Sequence, residues 1–123
     1  TVLRDGLADA LTRGAVFIAE TSSGEAVGLM VCEWEGMFGA WPYLALLGVK
    51  KNCRGMGVGH RLLDVFEGTG KALGARNLFI CVSAFNPRAR ALYVSRGFRK
   101  AALIPGLYRD GVAENVLIKR MEG

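Results

Sequence analysis

The sequence predicts an α+β domain in which helices interrupt a run of strands, and three observations carry that prediction. The nearly continuous apolar run from Trp41 to Val49 leads into the glycine-rich loop Arg54-Gly55-Met56-Gly57-Val58-Gly59 and then into residues with helical spacing. Strand-like stretches near both ends are joined by turn sequences, Thr21-Ser22-Ser23-Gly24 in one case and Asp110-Gly111 in the other. Between the later strands, Asn86-Pro87 opens and Gly97 closes a short helical segment.

Taken in order, Leu3, Leu7, Ala10 and Leu11 recur at helical spacing, so a helix is expected from Val2 to Arg13, ended by Gly14. Ala15 to Glu20 and Ala26 to Glu33 read as a hairpin. The run from Trp41 to Val49 carries no charge, which suits a central strand covered on both faces. From Gly57 onward Val58, Leu62, Leu63 and Phe66 mark a second helix, fading between Gly68 and Gly74. Leu78 to Val82 is the next strand, followed by the helix bearing Tyr93. Phe98 to Leu103 and Glu114 to Met121 close the chain as a strand pair.

The length of 123 residues is expected to form one domain spanning residues 1–123. Cys32, Cys53 and Cys81 are odd in number and contain no Cys-x-x-Cys pair, which indicates neither a disulfide framework nor a zinc site, and a reducing cytoplasm is the expected location. Cys32 and Cys81 lie in apolar runs and read as core residues. No stretch approaches the roughly 18 apolar residues that cross a bilayer, so no membrane is expected as a partner. The net charge of +5 comes from scattered Lys and Arg with no basic tract interleaved with aromatics, so no nucleic acid is expected either.

The glycine loop carries the chemistry. Strand, glycine loop and helix together form an anion site: glycines let the backbone come close, and the first-turn N–H groups and the positive dipole end face a negative guest. Two familiar phosphate loops fail on spacing. A triphosphatase loop needs Gly-Lys-Ser/Thr, but His60 and Arg61 follow Gly59. The dinucleotide fingerprint needs a glycine where His60 stands. What remains is Arg-x-x-Gly-x-Gly, which resembles the acyl coenzyme A pyrophosphate loop of the GNAT superfamily of N-acetyltransferases. Downstream, Asn86, Ala89, Ala91-Leu92-Tyr93 and Gly97-Phe98 resemble the second motif of that family, and the likeness extends over essentially the whole chain.

The resemblance implies a sandwich-like α+β fold, a mixed and mostly antiparallel central sheet flanked by helices. It also implies an opening strand and helix that the first residues do not supply. The chain is therefore expected to lack its natural beginning, to lack an edge strand, or to be covered by a partner chain, as in a homodimer. The implied chemistry is acetyl transfer from acetyl coenzyme A to a primary amine of a small molecule or a protein N-terminus, without a metal. The rival reading is an acyl coenzyme A binding module without turnover.

Residue by residue, the resemblance places the pyrophosphate on Arg54 and on the loop Gly55, Met56, Gly57, Val58 and Gly59, with His60 and Arg61 at the helix start. Asn86 would meet the pantetheine arm, Arg88 and Arg90 the adenosine phosphates, and the Val49 N–H the acetyl carbonyl or the adjacent cofactor. Tyr93 matches the general acid. An acceptor amine must lose a proton, and because the central strand carries no acid, Glu33 and Glu35 are the candidate bases. Acceptor identity is expected to depend on the first helical segment, on Gly36-Met37-Phe38-Gly39 and on Ile104 to Tyr108. The tail from Tyr108 to Gly111, with Glu114, looks like that of enzymes acting on protein amino termini or small amines.

Overall fold

The computed structural model describes the backbone of residues 2–5 and 14, and residues 15–121 in full. The strands are β1 (Val2–Asp5), β2 (Gly14–Glu20), β3 (Ala26–Met37), β4 (Trp41–Val49), β5 (Asn77–Ser83), β6 (Arg99–Arg109) and β7 (Val112–Arg120); the helices are α1 (Val58–Ala72) and α2 (Pro87–Ser95). The seven strands form one sheet in the order β1-β2-β3-β4-β5-β7-β6. Among the described residues only β4 and β5 run parallel, because the α1 crossover joins them; every other described pair is antiparallel.

The expected α+β fold with its mixed, mostly antiparallel sheet is the one observed, and it corrects two expectations. Val2–Asp5 is an edge strand paired antiparallel with β2, from Val2 opposite Glu20 to Asp5 opposite Phe17, rather than the start of a helix. The opening residues therefore do supply an edge strand. Helical spacing in four residues is a weak signal, and the open β2 edge offers their backbone a ready set of partners. The rest of that expected helix, residues 6–13, lies outside the described residues. The second correction concerns β4. Leu46 is 50% exposed, so its later half is not covered on both faces.

Both described helices pack on one face of the sheet. A methyl group added to Gly28 of β3 would meet Val58 and Leu62 of α1, and Trp34 of β3 stacks on Phe66 with centroids 6.0 Å apart. Leu62, Leu63, Phe66, Leu78 and Leu117 are fully buried between these layers, each contributing about 1.5–3 kcal/mol of apolar burial. A charged cluster fastens the far end. Glu67 of α1 accepts from Arg96 Nε at 2.8 Å and from Lys119 of β7, while Lys119 also donates to the Arg96 carbonyl at 2.6 Å. Arg96 further pairs with Asp64 at 2.7 Å. One buried carboxylate thus ties α1, the end of α2 and β7 together.

Candidate functional site

The site begins with an irregularity in β4. Val31 lies opposite Leu46 and Cys32 opposite Leu44, so Ala45 is an extra residue in the ladder, a bulge. On the other side β4 pairs with β5 only at Tyr43–Phe79 and Leu44–Ile80, after which the two strands part. Lys50 N donates to the Val27 carbonyl at 2.8 Å, and the register is uniform back to Leu46. Alternation along an antiparallel strand then aims the N–H groups of Leu46 and Gly48 at β3 and those of Leu47 and Val49 into the gap left by β5.

Leu47, Gly48 and Val49 line a groove of about 600 Å³ together with Cys53, Arg54, Gly55, Gly57, Val58, Gly59, His60, Asn86, Arg88, Ala89 and Leu92. Two helix N-termini bound it. Gly57 caps α1 in the left-handed region, φ 83°, without a side-chain hydrogen bond, and the first intrahelical bond runs from Arg61 N to the Gly57 carbonyl at 3.0 Å. The N–H groups of Val58, Gly59 and His60 are therefore left without intrahelical partners. Gly55 is also left-handed, φ 80°, and no protein atom lies within 4 Å of a methyl group built on either glycine. Space for a ligand and a conformation that favours glycine coincide here. At α2, Asn86 Oδ1 accepts from Ala89 N at 3.2 Å, which leaves the Asn86 amide N–H groups available to donate. Neither helix has an acid in its first turn, so nothing there opposes a bound anion.

The structure gathers most of the residues the sequence singles out. Val49, Arg54, Gly55, Gly57, Val58, Gly59, His60, Asn86 and Arg88 all line the one groove. Met56, 72% exposed, does not line it and belongs to the loop through its backbone. His60 is held beside the Arg96 guanidinium, which donates to its carbonyl at 3.3 Å. Tyr93, expected at the coenzyme as general acid, is not among the groove-lining residues: it is buried next to the lining residue Leu92, its ring edge-on to Phe98, and burial pushes its hydroxyl up to about 12.

Glu33 and Glu35 lie outside the groove lining. Glu33 stands opposite Tyr43, and a methyl group on Gly36 would sit 2.8 Å from Glu33 Oε2, so this carboxylate is folded against the β3 backbone. Glu35 is exposed. Sequence reasoning missed Leu47, Gly48 and Cys53, and it missed the contact between Gly59 and Leu92. Leu92 was within reach, since it adjoins Tyr93 in the second motif. The bulge at Ala45 leaves no mark in an unbroken apolar run.

Comparison with known proteins agrees with this geometry. Residues 4–98 match the acetyltransferase (GNAT) family. An uncharacterized N-acetyltransferase of Methanocaldococcus jannaschii is 34% identical over 79 residues, covering 63% of this chain and 51% of its own, so the match spans about half of that relative's length. Nourseothricin acetyltransferase superposes with a TM-score of 0.82 at 21% identity, covering 99% of this chain and 85% of that one. A protein of Bacillus anthracis described as a streptothricin acetyltransferase, solved with acetyl coenzyme A, gives 0.79 at 18% identity, covering 88% and 62%. The solved structures share this fold, and the family match over residues 4–98 shows that the chain belongs to the acetyltransferase (GNAT) family.

Proposed function

We propose that this chain transfers the acetyl group of acetyl coenzyme A to a primary amine, on a small molecule or at a protein or peptide N-terminus, by direct attack of the amine. The observation that carries the reading is the convergence of two unopposed helix N-termini and the unpaired β4 N–H groups on one groove. Bound there, the coenzyme supplies an activated acetyl thioester. The N–H groups of Gly55, Gly57, Val58 and Gly59 and the Arg54 side chain hold its pyrophosphate, Asn86 donates to the pantetheine arm, and Arg88 meets the outer phosphate.

The remaining roles belong to the sheet. The Leu47 and Val49 N–H groups stabilise charge developing on the carbonyl oxygen. Tyr93, protonated throughout the physiological range, donates to the departing thiolate, whose own affinity for a proton rises in the same dry surroundings. An amine with an ordinary pKa near 10.4 costs about 4–5 kcal/mol to deprotonate at neutral pH, so the reading calls for a carboxylate of the sheet to act as base and take its proton.

Calorimetric titration with acetyl coenzyme A, followed by detection of free thiol as amines and peptides are added, tests the reading. Binding with thiol release supports it. Binding with no release across the panel favours a coenzyme-binding module, and absence of binding overturns the site.

A further inference from the structure

We infer that Glu114 of β7 is the base that takes the proton from the acceptor amine, and that the amine is bound as a cation on the sheet face opposite α1 and α2. The inference rests on the proposed acetyl transfer. It begins from an imbalance among the carboxylates. Only Glu67 and Glu114 are buried acids among the described residues. Glu67 is satisfied by Arg96 and Lys119. Glu114 is 8% exposed and forms no ion pair with any described cation. No buried side-chain oxygen among the described residues lacks a hydrogen-bond partner, so the Glu114 carboxylate, enclosed along its stem, keeps its oxygens open to solvent and can receive a cation there.

Its position follows from register. Glu114 lies opposite Ser83, and Val116 opposite Cys81, so Glu114, Cys81 and Ser83 share a face. Leu78, Ile80 and Val82 point the other way, toward α1, as the contact between Gly70 and Leu78 records. Tyr43, opposite Phe79 in the parallel pair, belongs to the Glu114 face as well. The Tyr43 hydroxyl lies 3.4 Å from that of Tyr108, and burial together with its bonds to Tyr108 and Cys81 holds it strongly protonated. Glu114 is close enough to Cys81 to raise its thiol, after burial has done so.

Tyr43, Cys81, Tyr108 and Glu114 therefore form one group beside the place where β4 and β5 part, and Leu47, Gly48 and Val49, which follow on β4, line the groove. Glu33 shares the face but is turned against Gly36. An ammonium group between the Glu114 carboxylate and the tyrosine hydroxyls yields one proton to Glu114, and the freed lone pair forms the C–N bond. The second N–H proton passes to water as the C–S bond breaks, and Tyr93 supplies the thiol proton and is replenished from solvent. Glu114 then gives its proton to solvent, so one proton is released per turnover and both side chains are restored.

The test compares E114Q with E114A once an acceptor is in hand. E114Q should lower kcat/KM by roughly 10²–10³-fold while acetyl coenzyme A affinity stays unchanged by calorimetry. Added formate should restore part of the activity of E114A and none of E114Q. Independently of turnover, peptide mapping after iodoacetamide should show Cys81 alkylated faster in E114Q, because the facing negative charge is gone. Full activity in E114Q, failure of formate to rescue a folded E114A, or unchanged Cys81 alkylation would each overturn the assignment and leave acetyl transfer standing. Absence of thiol release by the parent chain would overturn both.

Discussion

A methyl group placed on Gly59 would lie 3.0 Å from Leu92 Cδ2, so the first turn of α1 and the middle of α2 meet closely enough that any added side chain must displace Leu92. Both residues line the groove. Gly59→Val should force Leu92 aside at a cost of about 1–3 kcal/mol, and the distorted wall should weaken acetyl coenzyme A binding about tenfold or more, each tenfold being about 1.4 kcal/mol. Calorimetry beside a urea titration separates the two effects. Wild-type affinity in the folded variant would show that this contact does not shape the site.

Gly57→Glu should abolish coenzyme binding without unfolding the chain. A side chain there meets no protein atom within 4 Å, so the folding cost is the left-handed backbone alone, about 1–2 kcal/mol. Bulk and negative charge at the cap of α1 oppose a pyrophosphate. A thermal melt a few degrees below the parent, with no heat of binding, is the expected pair of results.

Tyr93→Phe should leave the core intact, since the ring keeps its packing on Phe98 and no hydrogen bond to a described residue is lost. Turnover should fall roughly 10²–10⁴-fold with coenzyme affinity retained. Single-turnover thiol release would detect the loss, and unaltered turnover would confine Tyr93 to packing.

Glu67→Gln leaves two partly buried cations facing a neutral amide. The expected cost is about 2–3 kcal/mol, below that of a fully buried pair because the Arg96 and Lys119 side chains remain 17% and 26% exposed. A urea midpoint that does not move would show that solvent replaces the carboxylate.

Alkaline conditions should destabilise the fold. Burial pushes the Cys32 thiol from 9.0 up to about 12 and the Tyr93 hydroxyl from 10.0 up to about 12. The unfolded chain gives up these protons first, so their contribution is intact below pH 9 and is lost as pH rises toward 12. Each group steepens the decline by about 1.4 kcal/mol per pH unit within its window. Cys32→Ala should flatten the urea midpoint's fall between pH 9 and 10.5.

The two strand–turn–strand pairs, the central strand, both described helices and the Asn86 cap were legible because each depends on local spacing and local hydrogen bonding. Trp41–Val49 was read to the residue, and Asp110-Gly111 does turn between β6 and β7. The four residues Val2–Asp5 were misread because an edge strand takes its partner from β2, and periodicity within a segment does not report what lies beside it.

Sequence alone determined the glycine loop, its place between strand and helix, and the second motif, since a left-handed cap and a free helix N-terminus need only neighbouring residues of the right kind. Tertiary structure alone decided which N–H groups of β4 are unpaired, because Leu44, Ala45 and Leu46 are all apolar and a bulge among them changes no visible pattern. It alone decided that Glu67 is clamped while Glu114 is not. Those environments are built from strands and helices distant in the chain, and the charge of a carboxylate says nothing of its neighbours until the sheet has brought them together.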